Sequence, residues 1–238
     1  MAEQYSAESS RFEVEGAKLK KEEVHELRRK HFCPAQSISY ANTDPLLIVR
    51  GDGAYLYDEQ GRRFLDTRNN VCHLGHAHPR VAQAVADQVS VLNTNTRYLH
   101  PNLALLAKQL TESFPAGSGL EVCFFLNSGS EANDLAVRLA FARTLSRQMV
   151  VVDHGYHGHT QQTIEISPYK FDHKGGEGAK ENIHKVPCPC TYRGPHRGED
   201  AGQRYAEYVD NAIRAAGGSV AAFFVESGMS VGGVIVPP

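Results

Sequence analysis

The sequence predicts an α/β protein: a mostly parallel sheet flanked by helices, preceded by an N-terminal helix and an antiparallel meander. Three observations carry this. Short, largely apolar strand segments (122–126, 149–152, 185–187 and 220–225) alternate with helical stretches, and strands without polar alternation are those covered on both faces of a parallel sheet. Residues 46–66 instead alternate and turn twice, at Gly51-Asp52-Gly53 and Glu59-Gln60-Gly61, the pattern of a three-stranded antiparallel meander. Residues 121–159 read as strand, Gly/Ser turn, amphipathic helix, strand and aromatic–histidine turn, which is how a β/α protein builds an anion and cofactor pocket.

The 238 residues suffice for a sizeable core. With 41% hydrophobic and 22% charged residues, the chain falls among globular proteins and outside the disordered class. Lys plus Arg number 25 and Asp plus Glu 27, a formal charge of −2, so there is no global attraction to nucleic acid or an anionic membrane. The cysteines (Cys33, Cys72, Cys123, Cys188 and Cys190) are odd in number and suggest a reducing compartment. The longest apolar run, 220–225, is far short of the roughly 18–20 residues of a membrane span. Glu3, Glu8, Glu13 and Glu15 are unlike an acid-poor transit peptide. A cytoplasmic location is expected, with a mitochondrial one left open.

In chain order, residues 1–16 are polar and aperiodic, and a mobile tail is expected. Residues 17–31 place Leu19, Val24, Leu27 and His31 loosely on one face of a surface helix, whose basic Arg28, Arg29 and Lys30 are offset by Glu22, Glu23 and Glu26. After the meander, Pro79 stands in the first turn of a helix carrying Val81, Val85, Val89 and Leu92 at helical spacing. Residues 103–114 form another, with Leu103, Leu106, Ala107 and Leu110 on one stripe before Pro115. The irregular span 168–203, rich in Gly, Pro and His, is of the kind that frames active sites.

At Asn127-Ser128-Gly129-Ser130-Glu131-Ala132-Asn133 the chain passes from strand to helix. A helix's first turn offers unpaired N–H groups and the positive end of its dipole, Gly129 admits a close approach, and Ser128 and Ser130 add hydroxyls. A phosphate monoester fits such a turn. Ser128 and Glu131 also satisfy the pattern of an ordinary capping box, and this reading stands beside the first. The second turn, Asp153-His154-Gly155-Tyr156-His157-Gly158-His159, follows the next strand, and Glu226 ends the apolar run VAAFFVE. Phosphate donors, a ring for stacking and an acid thus collect at the carboxyl edge of one sheet, where open α/β sheets bind ligands.

These motifs, with NNVCHLGHAHP, LNTNTRYLH, ISPYKF and FFVESGMSVGGVIVPP, resemble the class III aminotransferases, fold type I pyridoxal-phosphate enzymes, and within them the ethanolamine-phosphate and phosphohydroxylysine phospho-lyases. The resemblance runs from about Leu46 to Pro238 and departs at Gly155, where those lyases carry alanine. It implies pyridoxal 5'-phosphate as cofactor. Ser128, Gly129 and Ser130 would hold its phosphate, Tyr156 would stack on its ring, and His157 and Glu226 would line the site, with Asn133 as a weaker carry-over. It implies residues 17–102 as an N-terminal segment, part small domain and part linker, and 103–238 as an incomplete large cofactor-binding domain. Family members are homodimers acting on small amines or amine phosphates.

The family's covalent lysine and the aspartate facing the pyridine nitrogen correspond to positions beyond Pro238. The chain as given is therefore expected to be inactive as it stands, with no catalytic residue assigned among Lys170, Lys174, Lys180 and Lys185. Three functions remain in view: phosphate elimination, transamination, and a non-catalytic partner of a full-length subunit. For a substrate phosphate, Arg68, Asn69, Asn70, Arg97 and His100 are candidates. The spacings His73/His76/His78, His154/His157/His159 and Cys188/Cys190 resemble metal motifs, but spacing does not establish convergence, and no metal is expected. Gly117 and Gly119 precede a strand instead of following one, unlike a dinucleotide fingerprint, and no Gly-x-Ser-x-Gly elbow surrounds Ser128.

Overall fold

The structure, a computed structural model, describes residues 19–36, 44–68 and 72–238. The tail expected at 1–16, together with Asn69 and Asn70, lies outside these. The chain forms two compact units, one up to Leu99 and one from His100 to Pro238.

In the first unit, α1 (Lys21–His31) opens with Glu22 and Glu23 and closes on Arg28, Arg29, Lys30 and His31, charges that complement the helix dipole. The strands β1 (Ile48–Asp52), β2 (Tyr55–Asp58) and β3 (Arg63–Leu65) form the expected antiparallel meander in the order β1-β2-β3. Its second turn is built on Asp58, which is buried and accepts the N–H groups of Gln60 at 3.0 Å and Arg62 at 2.8 Å, and the Arg62 Nε at 2.6 Å. Burial opposes ionisation of this carboxyl, but the Arg62 side chain and these N–H groups outweigh it and hold the pKa below the usual aspartate value. α2 (Pro79–Val91) starts on the anticipated proline. Its apolar stripe, Val81, Val85 and Val89, is exposed among the described residues.

The second unit runs α3 (Pro101–Glu112), α4 (Gly129–Thr144), β4 (Met149–Val152), α5 (Gln161–Glu165), α6 (Pro168–Phe171), β5 (Ile183–Val186), α7 (Ala201–Ala215) and β6 (Ala222–Phe224). The strands are parallel, in the order β5-β4-β6. Every residue of β4 is buried, as its unbroken apolar run requires. Alternation sends Met149 and Val151 to one face, against Val137, Ile166, Phe171 and Ile183. It sends Val150 and Val152 to the other, against Val186, Met229 and the α7 residues Tyr208, Val209, Ala212 and Ile213. At about 1.5–3 kcal/mol for each large apolar side chain fully buried, this two-faced core anchors the sheet edge that carries the candidate site.

The expected strand at 122–126 does not form: these residues are irregular, with Val122 81% and Phe124 65% exposed. A strand exists only through a hydrogen-bonded neighbour. Both edges of β4 are taken by β5 and β6, and no described strand lies beside 122–126. The third strand begins at Ile183, two residues before its expected start, and the last is confined to Ala222–Phe224.

Candidate functional site: a helix start, an aromatic turn and a strand-end carboxylate

Ser128 is the N-cap of α4, its Oγ accepting the Glu131 N–H at 3.1 Å, while Glu131 Oε2 accepts the Asn127 N–H at 2.8 Å. The capping reading is thus realised, with the glutamate reaching one residue further back than in a reciprocal box. Capping leaves the N–H groups of Gly129 and Ser130 without partners among the described residues. A Cβ placed on Gly129 would meet nothing within 4 Å, so the space beside this residue is open.

Three long-range bonds fix the aromatic turn. Ser130 Oγ accepts the His159 N–H at 3.0 Å, and Asn133 Nδ2 donates to the His157 carbonyl at 2.8 Å. Glu226 Oε1 accepts the Tyr156 N–H at 2.8 Å, tying the ends of β4 and β6 together, while its Oε2 accepts the Ser230 N–H at 3.3 Å. Behind the turn, buried Ser167 accepts the His157 N–H at 2.8 Å and donates to the Thr163 carbonyl at 2.6 Å.

The Tyr156 ring is half-buried, its neighbour Tyr169 meeting it edge-on at 5.8 Å and 75°. The imidazole of His157 is buried against Phe224 at 5.0 Å, and its Nε2 has no hydrogen-bond partner. Burial pushes its pKa below the ordinary histidine value, with the nearby Glu226 charge opposing, so the ring is neutral at physiological pH. Gly155 is explained by this packing: a Cβ there would stand 2.9 Å from both His157 Nε2 and the Val152 carbonyl oxygen. The alanine expected from the resemblance would force the imidazole to move.

Of the anticipated residues, Ser130, Asn133, Tyr156, His157 and Glu226 lie in one bonded network, and Ser128 and Gly129 open the helix beside it. Sequence reasoning missed Ser167 and Thr163, which hold the turn from behind, and Ser230, whose N–H donates to Glu226. Ser167 stood inside the quoted ISPYKF, but nothing in that string announces a buried hydroxyl. Of the residues considered for a substrate phosphate, the N–H groups of Arg68 and Arg97 bond Asp66 and Asn95, and His100 caps α3 by accepting the Asn102 N–H at 3.2 Å. Among the described residues no three His, Cys, Asp or Glu side chains converge as a metal shell. His76 instead meets Asp66 at 2.6 Å. The Cys188–Cys190 loop lines a cavity of about 690 Å³ with Asp153 and His154. Burial raises the Cys188 thiol pKa to about 11, whereas backbone N–H groups of Arg193 and Tyr192 lower that of Cys190.

A model of the class-III aminotransferase family matches residues 37–238. The chain belongs to the class-III aminotransferase family. Class-III members are pyridoxal-phosphate enzymes, and this one is 45% identical over 233 residues to the Drosophila melanogaster "alanine–glyoxylate aminotransferase 2-like" protein, covering 94% of this chain and 47% of the relative. It is 38% identical to the Caenorhabditis elegans "ethanolamine-phosphate phospho-lyase homolog 1", covering 92% and 49%. Among solved structures, it matches an Arthrobacter phospholyase in complex with phosphoethanolamine at TM-score 0.74 and 30% identity, covering 90% of this chain and 50% of that one. It matches a Pseudomonas jessenii omega transaminase in complex with PMP at TM-score 0.75 and 28% identity, covering 90% and 50%. The chain spans about half the length of the curated relatives it matches. These neighbours bear out the expected fold type I architecture, with its parallel sheet, flanking helices and antiparallel meander.

The residues of this class-III chain fit the family cofactor. Two N–H groups at the start of a sixteen-residue helix have no partner among the described residues, the space beside Gly129 is open, and the turn bonded to that helix carries a half-buried phenol ring.

Proposed function

We propose that this chain supplies the cofactor cradle of a pyridoxal-phosphate enzyme that eliminates phosphate from an amine phosphate, phosphoethanolamine or phosphohydroxylysine, giving aldehyde, ammonia and phosphate. The observation that carries the cradle is the bonding of the α4 start to the aromatic turn, Ser130 to His159 and Asn133 to His157. When bound, the pyridoxal ring supplies an electron sink for loss of the proton beside the amine. The N–H groups of Gly129 and Ser130, with the hydroxyls of Ser128 and Ser130, would hold its phosphate, aided by the helix dipole. Tyr156 would present its ring face, and Glu226 holds that residue in place by accepting its N–H. His157, neutral and buried, would line the site without adding charge.

Elimination is favoured over transamination by the match of NTNTRYLH and ISPYKF to phospho-lyases, and the C. elegans and Arthrobacter relatives support it. Transamination is the alternative, supported by the Drosophila and Pseudomonas relatives. A third reading makes the chain a non-catalytic partner of a full-length subunit, since class-III enzymes resembling it are homodimers. Turnover is proposed to need segments that the longer relatives possess, so the 238 residues alone are proposed to be inactive. The location is proposed as cytoplasmic, with the mitochondrion as alternative because some relatives are named mitochondrial. No helix among the described residues is long and apolar enough to cross a membrane.

Equilibrium dialysis tests the cradle. Pyridoxal phosphate should bind at least about tenfold more tightly than pyridoxal, a preference reduced by Ser128→Ala with Ser130→Ala. Equal binding of the two would remove the phosphate cup. Phosphate release from phosphoethanolamine, against keto-acid-dependent amine transfer, assayed on a version extended to the relatives' length, decides the reaction.

A further inference from the structure

Beside the proposed ring platform stands a cation that the cradle does not use. Lys170, half-buried at the end of α6, places its Nζ 5.5 Å from the Tyr156 ring centroid and 5.5 Å from that of Tyr169. Of the other lysines of this excursion, Lys180 pairs with Glu165 and Lys185 with Asp172 at 2.5 Å and Asp153 at 3.6 Å, while Lys174, like Lys170, forms no ion pair among the described residues but has no tyrosine ring contact. Lys170 forms no ion pair among the described residues, and the hydroxyls of Tyr156 and Tyr169 have no hydrogen-bond partner there either. Asp172, the carboxylate nearest in sequence, is held by Lys185, and His173 packs edge-on to Tyr169 at 5.5 Å.

An ammonium beside two tyrosine rings, with no carboxylate paired to it among the described residues, is available to an anion. Two tyrosine faces beside an ammonium also limit its hydration, which strengthens its attraction for a dianion. Asp172 is engaged by Lys185 and forms no ion pair with Lys170. The position of Lys170 next to Tyr156 puts it beside the proposed ring platform.

We propose that Lys170, with the hydroxyls of Tyr156 and Tyr169, holds the phosphate of the substrate, a phosphate monoester of a small primary amine. This rests on the elimination reading above and deepens it by naming a specificity-determining group. Lys170 orients the ester so that its phosphate is the group to leave, and an unphosphorylated amine gains nothing from it.

The test is calorimetric titration of the chain, saturated with pyridoxal phosphate, with phosphoethanolamine and with ethanolamine. Wild type should bind the phosphate ester about tenfold or more tightly. Lys170→Met should lose that preference, and Lys170→Arg should keep most of it. Affinity for pyridoxal phosphate and the melting temperature, measured on each variant, should be unchanged, which separates substrate contact from misfolding. A preference retained in Lys170→Met overturns the assignment while leaving the elimination reading standing. No preference in wild type also overturns the assignment, and the elimination reading is then judged separately by phosphate release from the version extended to the relatives' length.

Discussion

Replacing Gly158 by alanine should loosen the site and the fold together. Gly158 has φ +142°, and a Cβ there would stand 2.7 Å from Thr163 Oγ1, 2.9 Å from Ser130 Cα and 3.0 Å from Ser130 Oγ. Thr163 is fully buried and Ser130 Cα is backbone of α4, so neither contact can be relieved by swinging a flexible side-chain end. A side chain in left-handed backbone costs about 1–2 kcal/mol, and overpacking of this kind about 1–3 kcal/mol. Together they give about 2–5 kcal/mol, or roughly 5–20 °C in Tm for a chain of this size. The relief must come from separating Ser130 from the turn, which breaks its bond with the His159 N–H. Pyridoxal-phosphate affinity should therefore fall as well. Gly129→Ala is the counterpart: with nothing within 4 Å of its Cβ, it should leave Tm unchanged or raised while weakening the cofactor by crowding its phosphate. Thermal melts by circular dichroism and equilibrium dialysis read both quantities. A Gly158→Ala protein melting within about 2 °C of wild type, with unchanged cofactor affinity, would refute the close approach on which the cradle is built.

Other outcomes follow from single groups. Because His157 has a lowered pKa when folded, it is carried neutral, and its protonation in the unfolded chain costs stability as pH falls below the ordinary imidazole value of 6.5. Urea melts should show stability dropping from pH 7 to 5, with a shallower slope in His157→Gln; equal slopes would exclude this group as a source. Asp58, whose folded pKa is also lowered, contributes stability above the usual carboxylate range that disappears as pH falls through its folded value. Asp58→Asn should lose that acid-dependent portion, and an unchanged acid limb between pH 5 and 2 would count against it. Glu226→Ala strands the Tyr156 N–H, at a cost of about 1–3 kcal/mol if no water replaces the carboxylate, read as a lower urea midpoint. With its thiol at about 11, Cys188 should resist iodoacetamide at pH 8 while Cys190 alkylates first, and peptide mass spectrometry reversing that order would contradict the environments described.

The sequence made the local elements legible where one chain segment carries the whole signal. Four apolar residues at 149–152 sufficed for a buried central strand, Pro79 marked the start of a helix, and two glycine turns marked the meander. The failures are of another kind. Residues 122–126 read as a strand by composition, yet strand formation is decided by a neighbour, which no local pattern contains. The stripe of Val81, Val85 and Val89 predicted a helix correctly but not what would cover it. At the site, residue types that bind phosphate or stack on rings were readable from their spacing to strand ends. The partners behind them, Ser167 and Thr163, were not, because a buried serine bonding a backbone N–H ten residues away leaves no periodic trace.

The missing strand at 122–126 bears on how the cradle is held. In an open α/β sheet the strands place their carboxyl ends side by side, and the ligand groups follow from that placement. Here the strand before Ser128 is absent, so the sheet cannot place the α4 start beside the aromatic turn. That placement rests on Val137 of α4 packing against Met149 and Val151, and on Ser130 bonding His159 and Asn133 bonding His157, with the glycine at 158 allowing the approach. The Tyr156 side of the cradle, by contrast, is set by β4 and β6 through Glu226. The two halves of the proposed cofactor site therefore have different supports, α4 by helix packing and two side-chain bonds, and the Tyr156 side by the Glu226 bond between strand ends. Ser130→Ala with Asn133→Ala should uncouple the phosphate donors while leaving the ring platform in place, whereas Glu226→Ala should do the reverse.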